Sequence, residues 1–311
     1  MKKPSTTNGS AGAPLCPISG ESGVVRRVTS GAELLSLYET YLGKSIDPQY
    51  FPIDSWQTIT EYHSIRSGLI WYDPCILGDG DYYAHLDDTY VWYYNPASWD
   101  KKKALQEIQD LSPDWVIEVG SGSGWLLSQI KLLNIPAFGI ELSEDVVKSC
   151  RENGLQVYGV AEEFALPPGV GVLCLLQTIE HLDSPLQILA HYVERFRPER
   201  IILSAPCHES LLGHTTDPLS WPPHHFTSWS EKSFHQLASK LGCVVEQIDY
   251  SPLSYEDLEF RLAKEKSRKF FGLNFFPKGR LGRLVYRLRR MTGSKWCLRG
   301  HSIFGRLRVS N

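Results

Sequence analysis

The chain has 311 residues, 42% of them hydrophobic, and a formal net charge of −3, which suits one α/β domain of about 150–200 residues with extensions. No run of 18 apolar residues offers a transmembrane helix, and seven scattered cysteines do not make a disulfide framework. Residues 1–15 are polar, rich in small side chains and without the apolar core of a signal peptide, so they are expected to form a disordered leader in a cytoplasmic protein.

Residues 16–78 read as a small β-rich extension. Residues 79–112 follow, with the aromatic pieces Asp79-Gly-Asp-Tyr-Tyr-Ala-His-Leu86 and Tyr93-Tyr-Asn-Pro-Ala-Ser-Trp99. Such aromatics can exclude water and hold a cation against their π faces; packing of a helix onto the core explains the same composition. A helix from about Trp99 to Asp110 carries Ala104, Leu105, Ile108 and Leu111 on one stripe, as a core-covering helix must.

The domain over 113–311 begins with Val116-Ile-Glu-Val-Gly-Ser-Gly-Ser-Gly-Trp125, a strand, a glycine-rich turn and the start of a helix. Glycines 120, 122 and 124 remove Cβ atoms that would keep a ligand off the turn, and the helix start offers unpaired N–H groups. A dinucleotide turn needs a third small residue at the tight helix–strand contact. Trp125 stands there, so that pattern does not fit. The spacing is E-x-G-x-G-x-G, with Glu118 two residues before Gly120. An acid there suits a positively charged ligand better than a pyrophosphate.

A second strand, Ala137-Phe-Gly-Ile-Glu141, ends in an acid 17 residues after Gly124, near the roughly 20-residue offset at which a carboxylate meets ribose hydroxyls. A third, 155–160, runs into Ala161 and Glu162. A fourth, 170–177, ends at Gln177 and leads into Thr178-Ile-Glu-His-Leu-Asp-Ser-Pro185. A fifth is Arg200-Ile-Ile-Leu-Ser-Ala-Pro206, and Trp221-Pro-Pro-His-His-Phe-Thr-Ser-Trp229 follows it. A helix over 231–241 has a capping-box spacing, Ser228 with Glu231. Stretches 243–249 and 302–308 read as two further strands.

Between those strands the charge changes sign. Residues 1–260 hold 17 Lys/Arg and 34 Asp/Glu, a balance of −17; residues 261–311 hold 15 and one, a balance of +14. Leu281, Leu284, Val285 and Leu288 share one helical face, and Arg280, Arg283, Arg287 and Arg290 a neighbouring one. Four phenylalanines precede them. This basic insertion, about 251–299, suits an anionic membrane surface through residues 269–290, or an acidic lipid-linked acceptor. It equally suits a lid helix paired with the acidic main domain. No nucleic-acid module accompanies the charge, so a nucleic-acid partner is not expected.

Over residues 80–250 and the last few, these strand ends in this order resemble the class I S-adenosylmethionine-dependent methyltransferases of the type 11 and type 23 kind. The "EHL-D-P" and "PPHH" stretches are similar to theirs; Val160 stands where an Asp is frequent, and Cys207 where an Asn is. The resemblance implies a Rossmann-like α/β fold, a seven-stranded sheet with helices on both faces. It also implies S-adenosylmethionine as donor, held by Glu118, Gly120, Ser121, Gly122, Gly124, Glu141, Leu142, Ala161, Glu162 and Gln177 under a lid with Tyr94 and Trp99. Relatives often carry an N-terminal zinc ribbon of two Cys-x-x-Cys pairs. Here Cys16 is followed by Ser19, and Ser64 and Ser67 stand at the second pair. Three of four thiols are missing, and hydroxyls do not replace thiolates, so no metal is expected, even with His63 and Cys75 nearby.

Methyl transfer is an in-line displacement, and a hydroxyl acceptor must also lose its proton. His181 is the first candidate for base or orienting group, His225 the second, with His224 beside it; Glu180 is expected to brace the loop. The expected activity is O-methylation of a small-molecule, carbohydrate or lipid-linked acceptor by a cytoplasmic, peripherally membrane-bound enzyme, with N-methylation open. The alternative is a non-catalytic cofactor-binding protein that uses its basic region to bind a membrane or partner. The oligomeric state is not legible.

Overall fold

Strands that run parallel at the centre of a sheet are buried on both faces and read as continuous apolar runs. Three such strands organise the molecule: β4 (Trp115–Val119), β7 (Gly171–Leu176) and β8 (Arg200–Pro206). The computed structural model describes residues 14–90, 93, 97–209, 217–253 and 299–310. Among them the large sheet has seven strands. Beyond β4 lie β5 (Ala137–Glu141) and β6 (Gln156–Gly159); beyond β8 lie β11 (Arg299–Val309) and then β10 (Cys243–Pro252). β11 runs antiparallel between β8 and β10, and the other neighbours pair in parallel. The order β6-β5-β4-β7-β8-β11-β10, with its terminal antiparallel hairpin, is the Rossmann-like class I methyltransferase sheet.

Helices α3 (Trp99–Leu111), α4 (Trp125–Lys131), α5 (Glu144–Glu152), α6 (Pro185–Phe196) and α7 (Glu231–Lys240) cover the sheet. Local chemistry sets their ends. Ser143 caps α5 by accepting from the Val146 N–H, with Glu144 and Asp145 in the first turn, where carboxylates suit the helix dipole. The α7 cap differs from the expected Ser228–Glu231 box. Ser228 belongs to a short strand, β9 (Thr227–Ser228), and the box is Ser230 with Ser233.

The N-terminal extension is a second, four-stranded antiparallel sheet: β1 (Val24–Ser30), β2 (Thr58–His63), β3 (Ile70–Asp73) and β9. Its last strand therefore comes from the loop after β8. Cys16, Ile18, Leu69 and Trp71 share one apolar cluster with β4, β7 and β8, so the extension packs into the main core. At the ribbon positions Cys16 Sγ and Ser67 Oγ face each other at 3.3 Å, and the Ser67 N–H donates to Ser64 Oγ. Ser64 and Ser67 are buried and hydrogen-bonded, while Cys75 is exposed. Helix α1 (Gly31–Leu37) and α2 (Gly80–Thr89) close this side. The basic segment 254–298, including residues 269–290 and the expected amphipathic helix, lies outside the described residues, as do residues 1–13 and Tyr94. Its two ends meet at the Pro252–Arg299 pair of the hairpin.

Candidate active site

The carboxyl ends of β4, β7 and β8 open into a cleft of about 1040 Å³, with the extension's sheet as its outer wall. Gly120, Gly122, Gln177 and Trp99 line the inner part; His181, His224 and His225 the middle; Arg26, Arg27, Tyr72 and Trp221 the wall; and Ser251, His301 and Ser302 the hairpin side. Crevices at the carboxyl ends of open α/β sheets are where such folds bind ligands.

On the inner side the glycine turn is held by the protein itself. Gly120, Gly122 and Gly124 all have positive φ. A Cβ on Gly120 would lie 2.5 Å from Thr178 Oγ1, and one on Gly124 2.5 Å from Leu155 Cδ1. These two glycines answer to backbone conformation and close packing, a need distinct from ligand approach. Glu141 Oε2 accepts from the Gly122 N–H at 2.9 Å, and Oε1 from Leu142 and Ser143. The acid that ends β5 thus fixes the turn after β4, with one of its four lone-pair sites left over. Leu142 beside it is 83% exposed, an apolar side chain with no packing partner at a strand end. Ser121 turns its hydroxyl inward against Gly139, fully buried, so it offers the cleft no side-chain contact. Glu162 is ion-paired with Arg151, and Ala161 is exposed.

Glu118 is the exception on β4: a carboxyl, fully buried, with no hydrogen-bond partner on either oxygen. Burial holds its pKa up at about 7 despite Lys101, whose Nζ lies 3.9 Å away. Lys101 itself lines the cleft, so this buried carboxyl without a hydrogen-bond partner stands behind a cation at the cleft's inner side. Gln177 ends β7 with φ of +51°, a conformation that non-glycine residues hold only when their surroundings impose it. Here its N–H donates to Ser204 Oγ at 3.1 Å, and Ser204 donates to Asp100 at the start of α3.

The histidines form one cluster. Loop 179–181 after β7 and loop 221–226 after β8 are tied together by the Phe226 N–H donating to the Glu180 carbonyl at 2.9 Å. Glu180 therefore braces the loop as expected, through its backbone. His181 donates its Nδ1–H to the His224 carbonyl at 2.6 Å; the Tyr83 hydroxyl lies 3.0 Å from the same nitrogen. That arrangement fixes the tautomer and leaves Nε2 as a lone pair. Desolvation pulls the His181 pKa down to about 4, so the ring is neutral. His224 differs: its Nδ1–H donates to the Leu219 carbonyl and its Nε2 accepts from Tyr93, both at 2.9 Å. Neither nitrogen is left for an acceptor, so His224 positions its neighbours. The Nε2 atoms of His181 and His225 lie 4.0 and 3.9 Å from Glu180 Oε1. Burial pushes the Glu180 carboxyl well above the usual range and His225 well below its own.

The sequence pointed to His181, His225 and the glycine turn, and the fold brings them to one cleft. Tyr83, Tyr93 and the wall residues Arg26 and Arg27 were not singled out. Tyr83 and Tyr93 lie in the aromatic pieces read as a lid, whereas the two arginines become visible only once β1 is placed against the cleft.

No family model matches the chain. Over 116 residues it is 26% identical to the ubiquinone biosynthesis O-methyltransferase of Methylococcus capsulatus, covering 34% of this chain and 49% of that protein. The chain thus spans about half the length of the curated relative it matches. Among solved structures it is similar to the methyltransferase domain of bacterial CtHen1, with 16% identity over 70% of this chain and 100% of that one, TM-score 0.45. It is also similar to a SAM-dependent methyltransferase from Archaeoglobus fulgidus, with 15% identity over 67% and 94%, TM-score 0.44. A third is the plantazolicin methyltransferase BamL, solved with S-adenosylhomocysteine, with 14% identity over 69% and 86%, TM-score 0.42.

Proposed function

We propose that the chain is an S-adenosylmethionine-dependent methyltransferase that methylates an oxygen of a small-molecule, carbohydrate or lipid-linked acceptor. The observation that carries the reading is the single cleft that joins the Glu141-anchored glycine turn to the free Nε2 of His181. Glu118 faces the donor's ammonium group, Glu141 takes the ribose hydroxyls, and Leu142 and Ala161 flank the adenine. Trp99 borders the donor, and Glu162 acts through its pair with Arg151.

The acceptor oxygen attacks the methyl carbon in line. The C–S bond breaks, its electron pair stays on sulfur as the neutral thioether, and the acceptor's proton leaves to the His181 side of the cleft. Alignment supplies much of the rate. The O-methyltransferase name of the curated relative supports oxygen as the acceptor atom. Ser251 and His301, described residues near either end of the basic segment, line the cleft, which supports a role for residues 269–290 at an anionic membrane surface or lipid-linked acceptor. The enzyme then works in the cytoplasm, peripheral to a membrane. Purified protein should bind the donor in calorimetry and form S-adenosylhomocysteine with an extract of acceptors. Donor binding without turnover across acceptor extracts would favour a non-catalytic protein.

A further inference from the structure

Three lone-pair donors converge at the middle of the cleft. Among the described residues, Glu180, His181 and His225 bring one ligand atom each to within 4.8 Å of one another. Glu180 is fully buried, and neither carboxylate oxygen is hydrogen-bonded to another residue. His181 has its Nδ1–H committed to the His224 carbonyl, so its Nε2 can only accept. His225 Nδ1 has no partner either. At 3.9 and 4.0 Å the imidazole–carboxylate distances are too long for hydrogen bonds. A buried carboxylate without a donor is costly, and a cation shared by these lone pairs would offset that cost.

The geometry points to a divalent-metal site in which Glu180, His181 Nε2 and His225 hold a first-row ion such as Mn(II), Fe(II), Co(II) or Zn(II). This rests on the methyltransferase reading of the cleft and deepens its acceptor end. Two imidazoles and one carboxylate form a set that suits such ions, with positions left open. Donors about 2.0–2.2 Å from a metal sit roughly 3–3.5 Å from one another, so the imidazole–carboxylate pairs, at 4.0 and 3.9 Å, would close by up to about 1 Å, and the two imidazoles, within 4.8 Å, by up to about 1.8 Å. The surroundings supply the outer support that ligating histidines need. The His224 carbonyl orients His181, Tyr83 backs the same contact, and the Phe226–Glu180 backbone bond fixes the two loops together. The open side faces the cleft between the wall and the glycine turn. An acceptor hydroxyl bound there would coordinate through oxygen and lose its proton more readily, because a bound cation lowers the pKa of oxygen ligands; with His181 Nε2 on the metal, the proton would leave beside His181 to water rather than to that ring. The methyl carbon then bonds to that oxygen, and the C–S electron pair stays on sulfur.

The test uses tag-free, chelator-treated full-length protein, dialysed against Mn(II) and read by electron paramagnetic resonance, with Co(II) read by visible absorption. One tightly held ion per chain is expected. Glu180→Gln, His181→Ala and His225→Ala should each weaken binding by more than about 10-fold, while His235→Ala on the exposed face of α7 should not. Circular dichroism and calorimetric donor binding on the same samples report folding and the donor site. Wild-type binding no tighter than that of the three variants overturns the metal site, as does turnover unchanged after chelation. If the donor binds normally in that case, the methyltransferase reading survives alone. Metal bound without any donor binding supports the site and sinks the methyltransferase reading.

Discussion

Glu118 gives the sharpest electrostatic prediction. It sits at the end of β4 with no exposure and no hydrogen-bond partner, and burial holds its pKa at about 7 against 4.5 for an ordinary glutamate. Between those values the folded apoprotein binds a proton that the unfolded chain releases, so its stability falls as pH rises. The contribution is fully present below pH 4.5 and lost as pH passes through about 7. The gap corresponds to about 3 kcal/mol. Urea unfolding at pH 5 and pH 8 should therefore show a wild-type loss larger by about 2.5 kcal/mol than that of Glu118→Gln, which cannot ionise, since part of the contribution is already lost at pH 5. Donor binding should reverse the preference, because an ammonium group favours the carboxylate. Calorimetry at pH 6 in buffers of different ionisation enthalpy should then show close to one proton released from wild type (about 0.9) and none from the variant. Parallel pH profiles for the two proteins would refute the assignment of Glu118 as a buried acid without a hydrogen-bond partner.

Gly120→Ala forces a positive-φ alanine whose Cβ meets Thr178 at 2.5 Å; the strain and overpacking together should cost about 2–4 kcal/mol in urea unfolding, and a loss under about 0.5 kcal/mol would contradict the packing argument. His181→Ala should lower turnover by about 100-fold or more with donor affinity nearly unchanged; equal loss of both would mark the residue as structural. His224→Phe keeps ring volume but removes the bonds to Leu219 and Tyr93, so it should lower stability by about 1–3 kcal/mol, measured by thermal or urea melting; an unchanged midpoint would deny its positioning role. Sedimentation with liposomes should recover more of the full chain on anionic than on neutral lipid, and equal recovery would discard the membrane role of residues 269–290.

The parallel core was legible because buried strands are unbroken apolar runs punctuated by glycine or acid at their carboxyl ends. Strands β5 and β8 run 137–141 and 200–206, as read from the sequence. What escaped depends on pairing between distant residues. Ser228 could not cap α7 because it pairs with Ile70 in the extension's sheet, a contact no local pattern reports. Ser121 and Gly124 sit in the right motif, yet one turns its hydroxyl beneath the loop and the other is demanded by Leu155 and Cys150. His224 and His225 are adjacent in sequence, with His225 ranked ahead as the second candidate after His181. Only the positions of Leu219, Tyr93 and Glu180 separate a fully bonded ring from one aimed at a carboxylate. The convergence of Glu180 with two imidazoles likewise needs both loops in place, and a reading that expects no metal follows naturally from the missing ribbon thiols alone.

The central claim is that the glycine turn and Glu141 hold an adenosine-based methyl donor. Titrating S-adenosylmethionine into the full-length protein by calorimetry tests it most directly. One site per chain is expected, competed by S-adenosylhomocysteine and weakened when Glu141 is changed to Ala. A flat titration with folded wild-type protein would contradict the account.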